Sequence, residues 1–146
     1  DESAKHIVSG GTSPTILSRE LGRPLRVSMD YSDPDMPPIA FMEGIDLVTE
    51  GVLTLRKAIE LLKRYLIECD LSSEFFSELD KKNGASMIAK ILIEDCTELH
   101  MFVGTAANSA YQNPGLAFDL GIRQNLVKQL KEAVEGMGKK VTVTYY

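Results

Sequence analysis

The hydrophobic positions change their period several times along the chain, and each change marks a predicted element. Residues 6–8 form a short apolar run before a Gly-Gly pair, and residues 25–29 alternate apolar with polar, so both predict strands. Between them, Ser13 and Pro14 are typical of a helix start, and Gly22 is typical of a left-handed helix end. The first part of the chain therefore predicts a strand, a helix and a second strand.

Helical spacing of apolar residues extends from residue 45 to residue 66, with charged residues between them. We predict the longest helix there, interrupted by Gly51. The other predicted elements are helices over 85–96 and 122–134, a short turn at Phe75 and Phe76, and strands over 99–103 and 141–145.

Strands that alternate with helices predict an α/β fold. We expect a three-layer sandwich in which helices cover both faces of a four-stranded, mostly parallel sheet, with residues 1–146 as one domain. Right-handed crossovers, and a long two-helix connection that returns to the other side of the first strand, give the order 2-1-3-4. Ligands of open sheets bind at the carboxyl ends of strands where the order reverses, here between the first and third strands.

Two loops meet at that predicted switch point. The first joins a Gly-Gly turn to hydroxyls and a helix start, whose free amides and positive dipole stabilise an anion. The second is rich in hydroxyls and amides. A capped turn without any ligand explains the first loop equally well. The residues predicted to bind a ligand are Gly10, Gly11, Thr12, Ser13, Gly104, Thr105, Asn108, Gln112 and Asn113.

Three carboxylates, Glu43, Asp46 and Glu50, recur at spacings of three and four and share one face if the long helix reaches back to Glu43. Such a cluster serves a metal or acid/base chemistry, or it simply favours the positive helix start. Both interpretations stay open, and no metal ligand set is predicted. His6 and His100 fall in the first and third predicted strands, where we expect core or edge residues rather than ligands.

Composition narrows the function classes. The chain has 16 Lys and Arg against 21 Asp and Glu, a net charge of -5, and no long basic block, so a nucleic-acid surface is not predicted. Its apolar runs fall far short of the roughly 18 to 20 residues of a membrane span. Cys69 and Cys96 lack a Cys or His at metal-ligand spacing, so we expect reduced thiols in the cytoplasm. Because the sequence begins without Met and without a signal peptide, we expect part of a longer protein.

The inventory of catalytic motifs is thin. The sequence has no Gly-x-Ser-x-Gly elbow, no His-Glu-x-x-His pair and no phosphate loop ending in Gly-Lys-Ser or Gly-Lys-Thr. Ser13 is a nucleophile only if the fold brings a histidine to it. Whether the segment is an enzyme therefore stays open.

Segments spread along nearly the whole chain carry a family resemblance. They are Gly-Gly-Thr-Ser at 10–13, the stretch ending Arg-Glu-Leu-Gly at 16–22, Asp-Pro-Asp-Met-Pro-Pro-Ile at 33–39, residues 43–55, Phe-Val-Gly at 102–104, Asn108, Gln-Asn-Pro at 112–114, and Val-Thr-Tyr-Tyr at 143–146. Together they resemble the C-terminal region of bacterial serine/threonine phosphatases of the stage II sporulation protein E type. One turn, residues 9–14, is also similar to the sugar-phosphate turn of the gluconolactonase and glucosamine-phosphate isomerase group, with its Thr and Ser in reverse order.

The resemblance implies a context rather than a catalytic site. The phosphatase domain of that family holds Mn or Mg through Asp-Gly motifs, and this chain contains no Asp-Gly pair, so no cofactor is expected in this segment. The family implies a C-terminal segment attached to a cytoplasmic serine/threonine phosphatase, and the segment's own role does not follow from it. Our leading hypothesis is a non-catalytic accessory domain that binds a small anionic ligand or a protein partner such as the phosphatase domain. The alternatives are a phosphatase or sugar-phosphate enzyme that uses the Gly-Gly-Thr-Ser turn, and a structural module that forms a homodimer.

Overall fold

A computed structural model describes the backbone of five segments of the chain, residues 3–10, 13–28, 36–67, 72–104 and 115–146, with side chains of the last segment from residue 121. The strands are β1 (Ile7–Ser9), β2 (Arg26–Val27), β3 (Ala40–Met42), β4 (Ile45–Thr49), β5 (Glu98–Val103) and β6 (Lys140–Tyr145). The helices are α1 (Ser13–Leu21), α2 (Val52–Ile67), α3 (Ser73–Leu79), α4 (Gly84–Lys90), which continues as a π-helical turn over Ile91–Asp95, and α5 (Gly115–Gly136).

The larger sheet is mixed rather than mostly parallel. Its order is β1-β4-β3-β2, in which only β1 and β4 are parallel and the other two pairs are antiparallel. The predicted order 2-1-3-4 is therefore wrong: β2 lies at the far edge instead of beside β1. The reason is a hairpin that the periodicity did not reveal, in which β3 turns through Gly44, at a φ of 83°, into β4.

The start of the predicted long helix is also wrong. Residues 45–49 are strand β4, and the helix begins only at Val52. Leu47 and Val48 point to opposite faces of the strand, and both are buried, so this strand is covered on both sides. Gly51, expected in the middle of a helix, lies just before its first residue.

The last two predicted strands are confirmed, but their partner is not the first strand. β5 and β6 pair in parallel, with His100 opposite Thr142, and α5 forms the connection between them. Among the described residues they make a separate two-stranded sheet. The described fold is therefore mixed α/β, with one mixed sheet and one parallel pair of strands. The three-layer arrangement stays a prediction.

Glycine ends two of the helices as the sequence predicts. At the end of α1, Gly22 has a φ of 64° and its amide donates to the carbonyl of Arg19, while the amide of Arg23 donates to that of Ser18. Gly138, at a φ of 80°, ends α5 with the same pair of bonds, so both ends are Schellman motifs. The helix itself is longer than predicted, 115–136 rather than 122–134.

Helix α2 forms the centre of the core because it packs against both α4 and α5. Leu61 and Leu62 are fully buried, and Leu126, Val127 and Leu130 of α5 are buried as predicted. The predicted turn at Phe75 and Phe76 is instead part of helix α3, whose first turn is capped by Ser72. Phe75 is fully buried in this helix, and Phe76 is exposed. These contacts hold one face of α2 inside and leave its other face open.

The two cysteines have different outcomes. Cys96 is a free, partly buried thiol that packs against the core. Burial raises the pKa of this thiol, and the positive charge of Lys139, which acts in the opposite direction, does not cancel the effect. Lys139 donates hydrogen bonds to the carbonyls of Leu92 and Ile93 at the π-helical turn. Cys69 lies outside the described residues.

No helix among the described residues is long and apolar enough to span a bilayer.

Candidate functional site

The carboxyl ends of β1 and β4 lie side by side, because these strands are parallel neighbours with Ser9 opposite Thr49. The amide of Gly10 donates to the carbonyl of Thr49 at 3.1 Å. A Cβ on Gly51 would lie 3.2 Å from the Cα of Gly10, closer than side chains normally approach backbone. A glycine therefore follows each strand, Gly10 directly after β1 and Gly51 two residues after β4, where the two backbone segments touch. We call this region, with its neighbours Glu50, Thr54 and Gly84, the strand-end joint.

Polar side chains in the strand-end joint satisfy one another. The Ser9 hydroxyl donates to the carbonyl of Glu50 at 2.9 Å, and the Thr49 hydroxyl donates to Ser9 Oγ at 3.1 Å. The backbone amide and the hydroxyl of Thr54 both donate to Glu50 Oε2 at 3.4 Å. Glu50 thus places its carboxylate at the positive start of α2, where an external anion would otherwise be stabilised.

Close packing completes the strand-end joint. A Cβ on Gly84, the first residue of α4, would lie 2.8 Å from Thr49 Cγ2 and 3.1 Å from Thr54 Cγ2. Thr49 and Thr54 are 3% and 1% exposed. Within the described part of the chain, every buried side-chain nitrogen and oxygen has a hydrogen-bond partner. The interior of the strand-end joint is therefore structural.

The predicted Gly-Gly-Thr-Ser site is described only at its two ends. Gly10 has a φ of 147°, and a Cβ there would lie 3.3 Å from Ser13 Oγ. Ser13 is exposed at the first position of α1, and Pro14 is buried behind it. Gly11 and Thr12 lie outside the described residues. What the structure describes is Gly10 after β1 and an exposed Ser13 at the start of α1.

The second predicted loop is described only at Gly104, an exposed residue that follows β5 and whose carbonyl accepts from Arg123 Nη1 at 3.1 Å. The other predicted ligand residues of this loop lie outside the described residues; they are Thr105, Asn108, Gln112 and Asn113. The strand order that brought the two loops together is wrong, since β4 and not β5 pairs with β1. Their convergence stays a prediction without that support.

The three carboxylates of the acidic cluster do not share a helix face. Glu43 is exposed in the hairpin turn, and its carbonyl accepts from Arg23 Nη1 at 2.8 Å. Asp46 accepts from the backbone amide of His6 at 2.6 Å, and Glu50 caps α2. The shared face is wrong because residues 45–49 form a strand. In the segments that the structure describes, no group of three or more Asp, Glu, His or Cys residues is arranged to hold a metal ion.

Both histidines are exposed rather than buried. His6 lies directly before β1, with its Nδ1 3.9 Å from Asp46 Oδ2. His100 lies in β5, with its Nε2 3.2 Å from Glu98 Oε1. Each histidine has one carboxylate nearby, and this is consistent with an edge position.

A groove of about 500 Å³ runs between α2 and α5, and we call it the α2–α5 groove. Its volume lies within the range of small-ligand sites, roughly 300 to 1,000 Å³. Apolar side chains line it from both helices: Ile59 and Ile67 from α2, Ile122 and Leu126 from α5. This combination of apolar walls and open space is not found in the strand-end joint.

The charged side chains of the α2–α5 groove are mostly cationic. Arg56, Lys63 and Arg64 line it against one carboxylate, that of Glu60. Lys63 Nζ donates to Gln129 Oε1 across the groove at 2.8 Å. Arg56 is exposed and makes no hydrogen bond or ion pair with any residue that the structure describes.

An ion-pair cluster centred on Glu78 lies beside the α2–α5 groove. Glu78 of α3 accepts from Arg64 Nη1 at 2.8 Å and lies 3.3 Å from Lys57 Nζ. Burial alone would raise the pKa of Glu78, but the hydrogen bonds from Arg64 and Lys57 outweigh it and hold that pKa below its ordinary value. The Arg64 guanidinium also lies 5.2 Å from the centre of the Phe75 ring, a cation–π contact.

The α2–α5 groove is the feature that the sequence analysis missed. Its walls come from residues about 60 positions apart, so no local motif marks it. The available indication was the set of charged residues between the apolar positions of the predicted helix, among them Lys63 and Arg64. In the structure Ile67, beside these two, is 77% exposed.

Comparison with family models, curated proteins and solved structures finds no match to this chain. The resemblance to the stage II sporulation protein E phosphatases therefore stays a prediction.

Proposed function

We propose that this chain is a non-catalytic accessory domain that binds an anionic ligand in the α2–α5 groove. The observation that carries the proposal is the combination of a ligand-sized groove, apolar walls and the cationic side chains of Arg56 and Lys63, beside Arg64, which Glu78 already holds. An anion with an apolar body is favoured by both features, because its charge pairs with Arg56 or Lys63 while its body leaves water.

The same proposal gives the resemblance a role. If the chain belongs to a cytoplasmic serine/threonine phosphatase of the stage II sporulation protein E type, the groove is where a ligand or a partner acts on the parent protein. The strand-end joint is less suited to this, because Glu50 already occupies the start of α2. The exposed Ser13 leaves the predicted turn as the competing position.

The test is a titration with anilinonaphthalene sulfonate, a small sulfonate with apolar rings that fluoresces when it leaves water. Arg56→Ala and Lys63→Ala should each weaken binding by about tenfold, the size expected for one charge-assisted contact. Higher salt should weaken binding in parallel, since the cations lie at the surface. The matched control is Lys128→Ala, an exposed lysine of α5 that does not line the groove, and it should leave binding unchanged.

Two outcomes would contradict the proposal. If both groove variants bind the probe as the wild type does, the groove is not the site. If Ser13→Ala alone removes binding, the site is the turn into α1.

The enzymatic alternative is separated by hydrolysis of p-nitrophenyl phosphate with Mn or Mg present. We expect no turnover above the buffer rate. Turnover that survives purification and is lost in Ser13→Ala would replace the accessory function with a phosphatase that uses the Gly-Gly-Thr-Ser turn.

A further inference from the structure

The outer face of α2 carries a stripe of exposed residues at alternating spacings of three and four. Its ends are apolar, with Leu53 52% exposed and Ile67 77% exposed, and Arg56, Glu60 and Lys63 lie between them. This is the spacing at which one helix contacts another along a shared seam. At a rise of about 1.5 Å per residue the stripe is about 21 Å long, so it matches about four turns of a second helix.

The space beside this stripe continues past the α2–α5 groove. A second groove of about 380 Å³ lies on the other side of α2, between Leu53, Lys57 and Lys81. Arg56 and Glu60 line both grooves, so the two meet at the middle of the stripe. A small molecule fills one of these grooves, whereas only an elongated occupant contacts both.

The charge of this surface is opposite to that of the chain as a whole. Five cations line the two grooves, against the two carboxylates Glu60 and Glu78, while the chain has a net charge of -5. Glu78 is already paired with Lys57 and Arg64 inside the protein. This pairing leaves Arg56, Lys63 and Lys81 against Glu60, and the excess of positive charge attracts an acidic partner.

We propose that the outer face of α2 binds an acidic amphipathic helix of a partner protein, which places apolar residues at Leu53 and Ile67 and carboxylates at Arg56 and Lys63. The proposal rests on the proposed anion-binding function of the α2–α5 groove and names its ligand class. Recognition of one face of an amphipathic helix, through side chains that recur every three to four residues, is an established mode of peptide binding.

A second copy of this chain fits the same surface poorly. In an antiparallel pair of α2 helices centred near Glu60, Arg56 of one copy would face Lys63 of the other at both ends. Two like-charge contacts oppose such a pair. The occupant is therefore a helix of opposite charge.

The experiment uses calorimetric titration of the chain with a helical peptide of about 15 residues that has leucines near its ends and glutamates between them. A peptide of the same composition in scrambled order is the control. We expect the ordered peptide to bind at least about tenfold more tightly than the scrambled one, because only its apolar residues reach both ends of the stripe. Equal affinities would show adsorption by charge alone and would overturn the proposal.

The matched variants are Leu53→Ser and Val52→Ser, which alter neighbouring exposed apolar residues of α2. Only Leu53 lines a groove. Leu53→Ser should weaken the ordered peptide by about fivefold or more and leave the sulfonate probe unchanged, since that probe lies in the α2–α5 groove. Val52→Ser should change neither. Equal effects of the two variants on the peptide would contradict the predicted seam.

The two proposals fail differently. If the sulfonate probe depends on Arg56 and Lys63 but the peptide does not bind, the anion site stands and the helix is wrong. If neither ligand depends on these residues, both proposals are wrong. Concentration-dependent dimerisation that Lys63→Glu strengthens would instead identify a second copy as the occupant.

Discussion

Helix α2 begins in the strand-end joint and forms one wall of the α2–α5 groove, and the two regions satisfy their polar groups in different ways. In the joint, Glu50, Ser9 and Thr49 bond to one another and to the backbone at the start of the helix. In the groove, Arg56 has no described partner and Ile67 is exposed. One end of the helix is therefore committed to stability, and the outer face of the same helix remains available for binding.

This contrast separates two kinds of glycine-rich strand end. A glycine there favours close approach to a ligand or close approach to another part of the same protein. Here Gly51 approaches Gly10, and Gly84 approaches Thr49 and Thr54. Substitutions that test these contacts should therefore reduce stability and leave binding in the groove intact.

The largest effect is expected for Gly84→Val. A Cβ at this position lies 2.8 Å from Thr49 Cγ2, and both threonines around it are buried, so the branched side chain has no space. We expect a loss of about 2 to 3 kcal/mol in the free energy of unfolding, measured with urea. The control is Gly121→Ala in α5, where an added Cβ meets no described atom within 4 Å outside its own stretch of helix, and it should stabilise by about 0.5 to 1 kcal/mol. An unchanged free energy of unfolding for Gly84→Val would show that the strand-end joint is loosely packed.

A smaller loss, about 1 to 2 kcal/mol, is expected for Gly51→Ala. The new Cβ meets the Cα of Gly10 at 3.2 Å, and Gly10 is held by its bond to Thr49, so the neighbour cannot rotate away as a side chain would. Alanine also restricts the unfolded chain, which opposes the loss by about 0.4 to 1 kcal/mol. Gly104→Ala, with open space around it, is the control. A gain in stability would place the two backbones further apart than described.

Glu50→Ala should cost about 0.5 to 1 kcal/mol, because the start of α2 loses its acceptor. The two bonds to Thr54 are both 3.4 Å long, so a loss in the lower part of that range is expected. Glu50→Gln keeps an acceptor oxygen and removes the charge, so it separates the hydrogen bond from the helix dipole. Added phosphate should stabilise Glu50→Ala more than the wild type, since the vacant helix start then accepts an anion. Equal stabilisation would show that Glu50 does not exclude anions there.

The last predicted change in stability appears only at acidic pH and concerns Glu78, at the edge of the α2–α5 groove. Its pKa is lowered in the native protein, so its contribution to stability is present above the ordinary carboxyl pKa of about 4.3 and is lost as the pH falls through the native value. The difference in unfolding free energy between wild type and Glu78→Gln should therefore be steady near neutral pH and shrink below about pH 4. If the difference in unfolding free energy between wild type and Glu78→Gln grew in acid, the pKa of Glu78 would be raised in the native protein and not lowered.

Several elements could be predicted from the sequence because their information is local. Pro14 and Gly22 bound α1, and the apolar spacing around Leu126 and Leu130 identifies the buried face of α5. Gly22 adopts a left-handed φ that other residues disfavour, so the chain can end the helix there regardless of what surrounds it. Predictions of this kind do not depend on where the rest of the chain goes.

The hairpin and the sheet order depended on pairing that no local pattern specifies. Ile45, Leu47 and Val48 fit both a helical and a strand period, as short apolar runs commonly do. The structure shows that they pair with residues 40–42 through a turn at Gly44 and with β1 on the other side. The acidic cluster disappeared with that change, because Asp46 and Glu50 lie at opposite ends of a strand instead of on one helix face.

What the sequence by itself determined is where α1 ends, which face of α5 is buried, and that the last two strands exist, since each follows from the backbone preferences and periodicity of a few neighbouring residues. The tertiary structure alone decided which strands are neighbours, why Gly51 and Gly84 must be small, and that Arg56 and Ile67 of α2 lie beside Ile122 and Leu126 of α5. Burial and charge at these places arise from contacts between residues that are distant along the chain, and such contacts exist only once the core around α2 has formed.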